Sequence, residues 1–209
     1  MDGRRAYGGR SAEEREEERR RKLLDAGLEL IGNRGWAETS VRGVYQHAGV
    51  SPRFFYESFD NLDALAVAVF DEIVDDVTGR VIDAVATAGP DRDEQARAAM
   101  GTLVDAAHED PRRARVVFVE ALGSEPLARR RRQMVHDLAG VIGALGEASD
   151  APLGRMTSAV VAGGLVELLV AWLDGSLDVT EEELIRDGAA LVVGVGDTAR
   201  DLARGAPAR

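Results

Sequence analysis

The sequence predicts an all-α protein, and three observations support this prediction. Apolar residues recur three and four positions apart, which is the spacing of one helix face. Pro, Gly and Asp stand between the periodic segments, as they do at helix ends. Beyond Pro90 the alternation of apolar and polar residues that is typical of strands does not occur. A chain of 209 residues is also long enough to bury a core, in one larger domain or two smaller ones.

Two long segments carry an apolar stripe of helical spacing. The first runs from Ala12 to Ile31 and is stopped by Asn33-Arg34-Gly35. The second follows a capping residue, Asp60 or Asn61, and ends at Ala88-Gly89-Pro90. Its roughly 26 residues make a rod of about 40 Å, long enough to connect two domains. Five further helices are predicted, from Arg92 to Glu109, Pro111 to Leu122, Glu125 to Glu147, Pro152 to Asp174 and Thr180 to Arg204.

Between the two long helices, residues 39–59 are predicted to form two short helices joined by a tight turn. Gly49 suits the left-handed conformation that ends a helix. Ser51-Pro52 opens the next helix, because a Ser oxygen caps exposed N–H groups and Pro at the first helical position loses no hydrogen bond. Phe55 and Phe59 share the face that packs back on the first short helix. The second helix then exposes Arg and aromatic groups and has the size to enter a DNA major groove. The alternative is a helical hairpin without a ligand.

The run from Thr39 to Leu65 resembles the DNA-binding segment of the TetR family, the tetracycline-repressor-like bacterial regulators. It reads Thr-Ser-Val-Arg-Gly-Val-Tyr-Gln-His-Ala-Gly-Val-Ser-Pro-Arg-Phe-Phe-Tyr-Glu-Ser-Phe-Asp-Asn-Leu-Asp-Ala-Leu. Two residues depart from the family pattern. Tyr45 stands where a small Ala is usual, so the helix crossing is looser or Tyr45 turns outward. Leu62 stands where the family has a Lys, which removes an expected phosphate contact.

The resemblance implies an N-terminal three-helix helix-turn-helix DNA-binding domain followed by a C-terminal helical ligand-binding and dimerisation domain. We expect a disordered tail at residues 1–11, the DNA-binding domain at 12–60, the second domain at 62–204 and a disordered tail at 205–209. The implied function is that of a ligand-responsive bacterial repressor, which binds a palindromic operator as a homodimer and is released by a small-molecule effector. A helical protein–protein adaptor that does not bind DNA is the alternative.

The family pattern also assigns roles to residues of the short helices. The residues expected to hold the DNA backbone are Thr39, Ser40, Arg42, Ser51 and Tyr56. Those expected to approach base edges are Pro52, Arg53 and Phe54. Among these, Arg53 suits a guanine and Phe54 a thymine methyl group. Arg4, Arg5 and Arg10 either add phosphate or minor-groove contacts or belong to a solvated tail.

In the second domain, the resemblance implies that the last two helices form a four-helix interface with those of a second copy. The interface candidates are Met156, Val160, Gly163, Gly164, Leu191 and Val195. The effector would enter the same domain, and large or adaptable apolar residues are the candidates to line its cavity. These are Met100, Leu103, Phe118, Met134 and Trp172. For each of the five, a role in the core is the alternative.

The net charge of −11 is unevenly distributed along the chain. Residues 1–62 contain 11 basic and 11 acidic residues, whereas residues 63–209 contain 15 and 26. A neutral DNA-binding segment on an acidic second domain is compatible with specific DNA binding, because only the local field acts on the phosphates. The acidic balance favours a neutral or cationic effector.

The chain contains no cysteine, which excludes disulfides and thiolate chemistry. Together with an N-terminus that lacks a secretory signal, this suggests a cytoplasmic protein. No membrane contact is expected, because the apolar run from Met156 to Leu173 is short for a span and is better explained as a fully buried helix.

The sequence carries no pattern typical of an enzyme, a metal site or a cofactor site. His47, His108 and His136 are scattered, without a partner at metal-binding spacing. Gly194-Val-Gly-Asp imitates a dinucleotide fingerprint, but it lies in a helical pattern with no preceding strand. The four arginines at 129–132 either bind an anion or form a solvated face that pairs with nearby acid.

Overall fold

Nine α-helices make up most of residues 11–145 and 151–205, the part of the chain that this computed structural model describes. Within these residues there is no strand. Two single turns of 3-10 helix, Trp36–Glu38 and Glu120–Leu122, complete the regular structure. The helices are α1 (Ala12–Arg34), α2 (Val41–His47), α3 (Pro52–Ser58), α4 (Leu62–Thr87), α5 (Arg92–Glu109), α6 (Pro111–Phe118), α7 (Glu125–Leu145), α8 (Pro152–Leu173) and α9 (Glu181–Gly205). We call α1 to α3 the headpiece and α4 to α9 the body.

Helix caps set the ends of several elements. The hydroxyl of Ser11 accepts a hydrogen bond from the Glu14 N–H, and the Glu14 carboxylate accepts one from the Ser11 N–H, which is a capping box. Ser11 is therefore the N-cap of α1, and Gly205 is the last residue of α9. The other residues assigned to the tails, among them Arg4, Arg5 and Arg10, lie outside the described residues. Thr180 and Glu183 form a second capping box, at the start of α9.

A single hydrophobic core joins the headpiece to the body. Leu23 and Ile31 of α1, Val44 of α2 and Phe55 of α3 are fully buried against the start of α4, where Leu65 and Phe70 are fully buried as well. The same cluster continues into α6 and α7 through Val116, Val117, Leu127 and Met134. The core is therefore continuous across residue 61, near which the boundary between the two domains is expected.

A second, smaller core lies in the body between α5, α8 and α9. Its buried members are Met100, Val104, Leu169, Leu184 and Ala189. Phe118, at the end of α6, packs against both cores and so connects them.

The segment from Pro111 to Leu122, predicted as one helix, is interrupted. α6 ends at Phe118, and the chain tightens into the 3-10 turn that begins at Glu120. There the Glu120 carboxylate accepts hydrogen bonds from the Trp36 N–H at 2.7 Å and from Nε of Arg115 at 2.9 Å. Glu120 therefore ties the body to the turn that follows α1, a contact between residues 84 positions apart that local periodicity does not reveal.

Charged side chains make a second link between α1 and α6. The guanidinium of Arg112 contacts the carboxylate of Glu29 in α1 and that of Asp110, 2.7 Å away, which caps α6. The hydrogen bonds from Arg112 hold the pKa of Asp110 below its ordinary value. In turn, the carboxylates of Asp110 and Glu29 raise the pKa of Arg112, and Asp110 has the larger effect. Beside this link Gly32 lies so close to α6 that an added Cβ atom would stand 2.5 Å from the Cβ of Arg112.

Candidate nucleic-acid interface and effector cavity

The corner between α2 and α3 has the predicted geometry. The Ser40 hydroxyl caps α2 by accepting a hydrogen bond from the Gly43 N–H at 3.1 Å. At the other end, Gly49 adopts the left-handed conformation with φ +65°, and the Val50 N–H bonds back to the Tyr45 carbonyl at 3.0 Å. Gly is favoured here because it has no Cβ to clash in this region.

One face of α3 is buried and the other is exposed. Phe55 and Phe59 are buried, with ring centroids 6.0 Å apart, and this face packs in the first core. On the opposite side Pro52 and Tyr56 are exposed, as is Arg53, whose side chain is 84% accessible. α3 thus presents a polar and aromatic surface to solvent on a rigid support.

Most of the residues predicted to contact DNA lie on the exposed surface of α2 and α3. The exposed ones are Ser40, Arg42, Ser51, Pro52, Arg53 and Tyr56, while Thr39 and Phe54 are half-buried. Thr39 donates its hydroxyl proton to the Gly35 carbonyl at 2.8 Å, which orients it along the chain. The prediction that the Ser51 hydroxyl caps α3 is wrong. It makes no capping bond, and the Ser51 carbonyl instead accepts from the Phe54 N–H at 3.1 Å.

Two arginines of α1, Arg19 and Arg20, lie on aromatic rings of α3. The guanidinium carbon of Arg19 is 4.2 Å from the ring centroid of Phe54, and that of Arg20 is 4.5 Å from that of Phe59. Arg20 also donates a hydrogen bond to the Ser58 carbonyl at 3.3 Å. These cation–π contacts place two positive charges against α3 where it meets α1. No local signal could have found them, because the partners are 35 or more positions apart in sequence.

The two departures from the family pattern are accommodated in the headpiece core. Tyr45 is half-buried and packs against the first core, so it does not turn outward into solvent. Leu62, at the start of α4, is also half-buried against this core. It therefore supplies packing at the place where the family has a phosphate-binding Lys.

Arg53 already has a partner in this structure. Its Nε donates to a carboxylate oxygen of Glu57, one turn further along α3, at 2.7 Å. The pair is exposed, so the attraction between the two charges is screened by solvent. A DNA contact by Arg53 therefore competes with an intrahelical bond that costs little to break.

A cavity of about 780 Å³ lies in the body between α4, α5, α6, α7, α8 and α9. Four of the five predicted lining residues surround it, namely Met100, Leu103, Phe118 and Met134. Trp172 does not line it. Near the end of α8 its ring packs edge-on against the ring of His108 on α5, with centroids 5.3 Å apart. The volume falls within the range of small-molecule sites, and the lining is mainly apolar.

The predicted interface residues lie along the outer side of α8 and α9. Met156, Val160, Leu191 and Val195 are 65%, 63%, 61% and 36% accessible. Gly163 and Gly164 have no neighbouring atoms within 4 Å of the position a Cβ would take. Of the described helices, α8 is the one that is long and apolar enough to cross a membrane by length and composition, and 28% of its apolar window is buried. The expectation that this helix is fully buried therefore does not hold within one chain, because its apolar surface extends all round.

The residues weighed for other chemistry are dispersed. No group of three or more His, Asp or Glu side chains that could hold a metal ion occurs within residues 11–145 and 151–205. His47 and His136 are exposed, and Gly194 lies inside α9. Of the arginine run, Arg129 pairs with Glu125 and Arg130 with Asp71 and Asp137, as expected of a face that pairs with acid.

The described residues therefore form a helix-turn-helix that is joined by a long helix, α4, to an all-helical body with a cavity. Residues 23–69 match the family model described as bacterial regulatory proteins, tetR family. No protein with a curated description matches the sequence.

Solved structures share this fold over nearly their whole length. A tetR-family regulator from Marinobacter aquaeolei VT8 is 21% identical, with 88% of this chain and 97% of that chain covered and a TM-score of 0.61. FadR from Bacillus subtilis, solved in complex with stearoyl-CoA, is 17% identical, with 84% and 98% covered and a TM-score of 0.67. A tetR-family protein from Syntrophomonas wolfei is 16% identical, with 87% and 96% covered and a TM-score of 0.69. At these identities the likeness shows a common fold.

Proposed function

We propose that this protein is a ligand-responsive repressor of the cytoplasm, which binds a palindromic operator as a homodimer and leaves it when a small molecule enters the body. The observation that carries this proposal is the two-sided character of α3. Its Phe55 face is fully buried, while Arg53 and Tyr56 are exposed on a helix of a size that fits a major groove. In this proposal residues 12–60 bind DNA and residues 62–204 dimerise and sense the ligand.

The dimer is supported by the apolar surface of α8 and α9. A soluble chain rarely leaves several large apolar side chains together in water, and here Met156, Val160 and Leu191 are each more than half accessible. Gly163 and Gly164 allow a second helix to approach closely. A two-fold axis through this surface would present two copies of α3 to successive major grooves.

Release by a ligand is supported by the position of the cavity. Arg113 and Ala114 of α6 line it, and the neighbouring Arg112 holds α1 through Glu29. A ligand that pushes on α6 therefore acts directly on the helix that carries the headpiece. It must bind the released state more tightly than the DNA-bound state, since otherwise it shifts nothing. That FadR from Bacillus subtilis was solved with stearoyl-CoA supports the idea that this fold holds small molecules.

A mobility-shift assay with the DNA beside the protein's own gene tests the proposal. The ligand-free protein should retard this DNA, and the shift should weaken steeply as salt rises, because phosphate contacts release counterions. The variant Arg42→Ala, at an exposed headpiece position, should weaken binding and reduce the salt dependence by about one ion. Arg97→Ala, at an exposed position on α5 of the body, is the matched control and should change neither. Absence of any shift at low salt would favour a protein–protein adaptor instead.

A further inference from the structure

The charges that line the cavity are not balanced. Among the described residues the lining includes five arginines but two acidic residues, Asp75 and Asp137. This is the reverse of the chain as a whole, which carries 37 acidic and 26 basic residues. The charge that a ligand meets in the cavity therefore has to be judged from the lining residues and not from the net charge of the chain.

The arginines fall into two groups at opposite ends of α5. Arg113 and Arg130 lie near the headpiece end, where α6 and α7 border the cavity. Their charges are matched or exceeded by nearby carboxylates: Arg113 pairs with Asp76 at 2.6 Å, and Arg130 pairs with Asp71 and Asp137. The other group lies at the start of α5 and near the end of α9. The 18 residues of α5 separate the two ends by about 27 Å.

At the far end, two guanidinium groups share one carboxylate. Nη1 of Arg92 is 3.4 Å from Oδ1 of Asp197, and Nη2 of Arg200 is 2.6 Å from the same oxygen. The Nη2 atoms of both arginines also lie within 3.5 and 3.6 Å of one point, the position a Cβ would take at Gly196. The buried Nη2 of Arg200 has no hydrogen-bond partner in spite of its short contact with Asp197, because the directions of the groups do not suit a hydrogen bond. Two guanidinium groups thus converge on one carboxylate, and Nη2 of Arg200 can still donate a hydrogen bond to a ligand.

Between the two ends the cavity wall is apolar. Val81 and Val85 of α4, Ala96 and Ala99 of α5 and Leu169 of α8 all contribute to it. A long apolar group would fit along this wall with one end beside Arg92 and Arg200. Arginine is suited to a carboxylate at that end, because its planar N–H groups match the two oxygens.

We propose that the effector is an amphipathic carboxylate, an apolar chain that lies along the cavity and ends in a carboxylate bound by Arg92 and Arg200. The inference rests on the proposed function only in that it takes the cavity to be the effector site. The preference expected from net charge, for a neutral or cationic effector, is reversed because, among the described residues, the charged side chains that line this end of the cavity are those of Arg92, Arg200 and Arg204.

Direct binding to the purified full chain, measured by equilibrium dialysis without DNA, tests the inference. The probes are dodecanoate, dodecan-1-ol and dodecylammonium, which share a chain and differ in the charge of the head. Dodecanoate should bind roughly tenfold or more tightly than dodecan-1-ol, because charge-assisted hydrogen bonds to arginine are lost in the alcohol. Dodecylammonium should bind weakest, since like charges repel at the arginine end.

Three variants separate the carboxylate site from general effects on the fold. Arg92→Gln combined with Arg200→Gln should remove the preference for dodecanoate over dodecan-1-ol while binding of the alcohol persists. Asp197→Asn should raise the affinity for dodecanoate severalfold, because it removes the carboxylate that competes for both arginines. Damage to the fold cannot produce a gain of this kind. Arg97→Gln, on an exposed arginine of α5 that does not line the cavity, is the matched control and should bind like the natural protein.

The outcomes separate the inference from the proposed function. Equal binding of the three probes, tighter binding of dodecylammonium, or no binding of dodecanoate would overturn the inference and leave a DNA-binding regulator with another effector. Dodecanoate could also bind in a way that depends on the two arginines without altering the mobility shift of the DNA. That result would support the carboxylate site but contradict its role in release from DNA.

Discussion

Arg53 is the more exposed of the two charged side chains on α3. In the absence of DNA its guanidinium pairs with Glu57, and this exposed ion pair is weak. The partner of Arg53 among the described residues, Glu57, is on the same helix, and the Arg53 side chain is 84% accessible. A bidentate contact from such an arginine to a guanine contributes about 1–3 kcal/mol of discrimination between bases. We therefore expect Arg53→Ala to abolish sequence discrimination while the dimer stays intact. Comparing the affinity for the operator with that for a scrambled duplex measures this, and an unchanged ratio would remove Arg53 from base recognition.

In the proposed complex Glu57 would compete with DNA for Arg53, and it adds a negative charge to the same surface. Replacing it by Gln should free Arg53 and reduce repulsion from phosphates, so we expect DNA affinity to rise severalfold and its salt dependence to steepen. Fluorescence anisotropy over a range of salt concentrations would detect both effects. Glu125→Gln is the matched control, because Glu125 forms the same i,i+4 pair with Arg129 on α7 of the body. An equal gain from the control would mean that net charge, and not Arg53, is responsible.

At the scale of elements, the close contact of α1 with α6 depends on Gly32. An Ala at this position would normally favour a helix by about 1 kcal/mol. Here the added Cβ would lie 2.5 Å from the Arg112 Cβ and 3.1 Å from its backbone, so the two helices must separate. We expect Gly32→Ala to lower the free energy of unfolding and to weaken the link between cavity and headpiece.

Gly79 in α4 provides the control for this change. It is exposed and has no atoms within 4 Å of its Cβ position. Gly79→Ala should therefore raise the free energy of unfolding by about 0.5–1 kcal/mol through helix propensity alone. Urea denaturation of both variants measures the difference, and a stabilised Gly32→Ala protein would contradict the tight contact.

The elements themselves were largely predictable from sequence, for reasons visible at particular residues. Gly49 marks the corner because few other residues tolerate its left-handed conformation, and Pro52 marks the start of α3 because Pro loses no hydrogen bond there. Apolar periodicity located α4 and α5 at their observed bounds. Local sequence patterns did not predict features that depend on contacts between residues far apart in the sequence. α6 stops at Phe118 where Glu120 bonds to Trp36, and Arg19 covers Phe54 across 35 positions of sequence. Trp172 was predicted to line the cavity and does not, because apolar periodicity alone does not tell which side of a helix borders a cavity.

At the scale of the whole molecule, the apolar outer side of α8 and α9 points to a second copy. We expect the protein to sediment near twice its mass of 22.4 kDa at micromolar concentration. Val160→Glu should yield a folded monomer, because a buried unpaired carboxylate is costly at an interface and harmless in water. Val119→Glu, at an exposed apolar position away from α8 and α9, should leave the dimer unchanged. A monomeric natural protein would undo this assignment.

Binding-site selection from random DNA with the ligand-free protein tests the central claim most directly. If two exposed copies of α3 are held by one dimer, the selected sequences should contain an inverted repeat whose half-sites lie about 34–36 Å apart, or a multiple of one helical turn. Selection of a single unrepeated half-site, or no enrichment at all, would contradict the account.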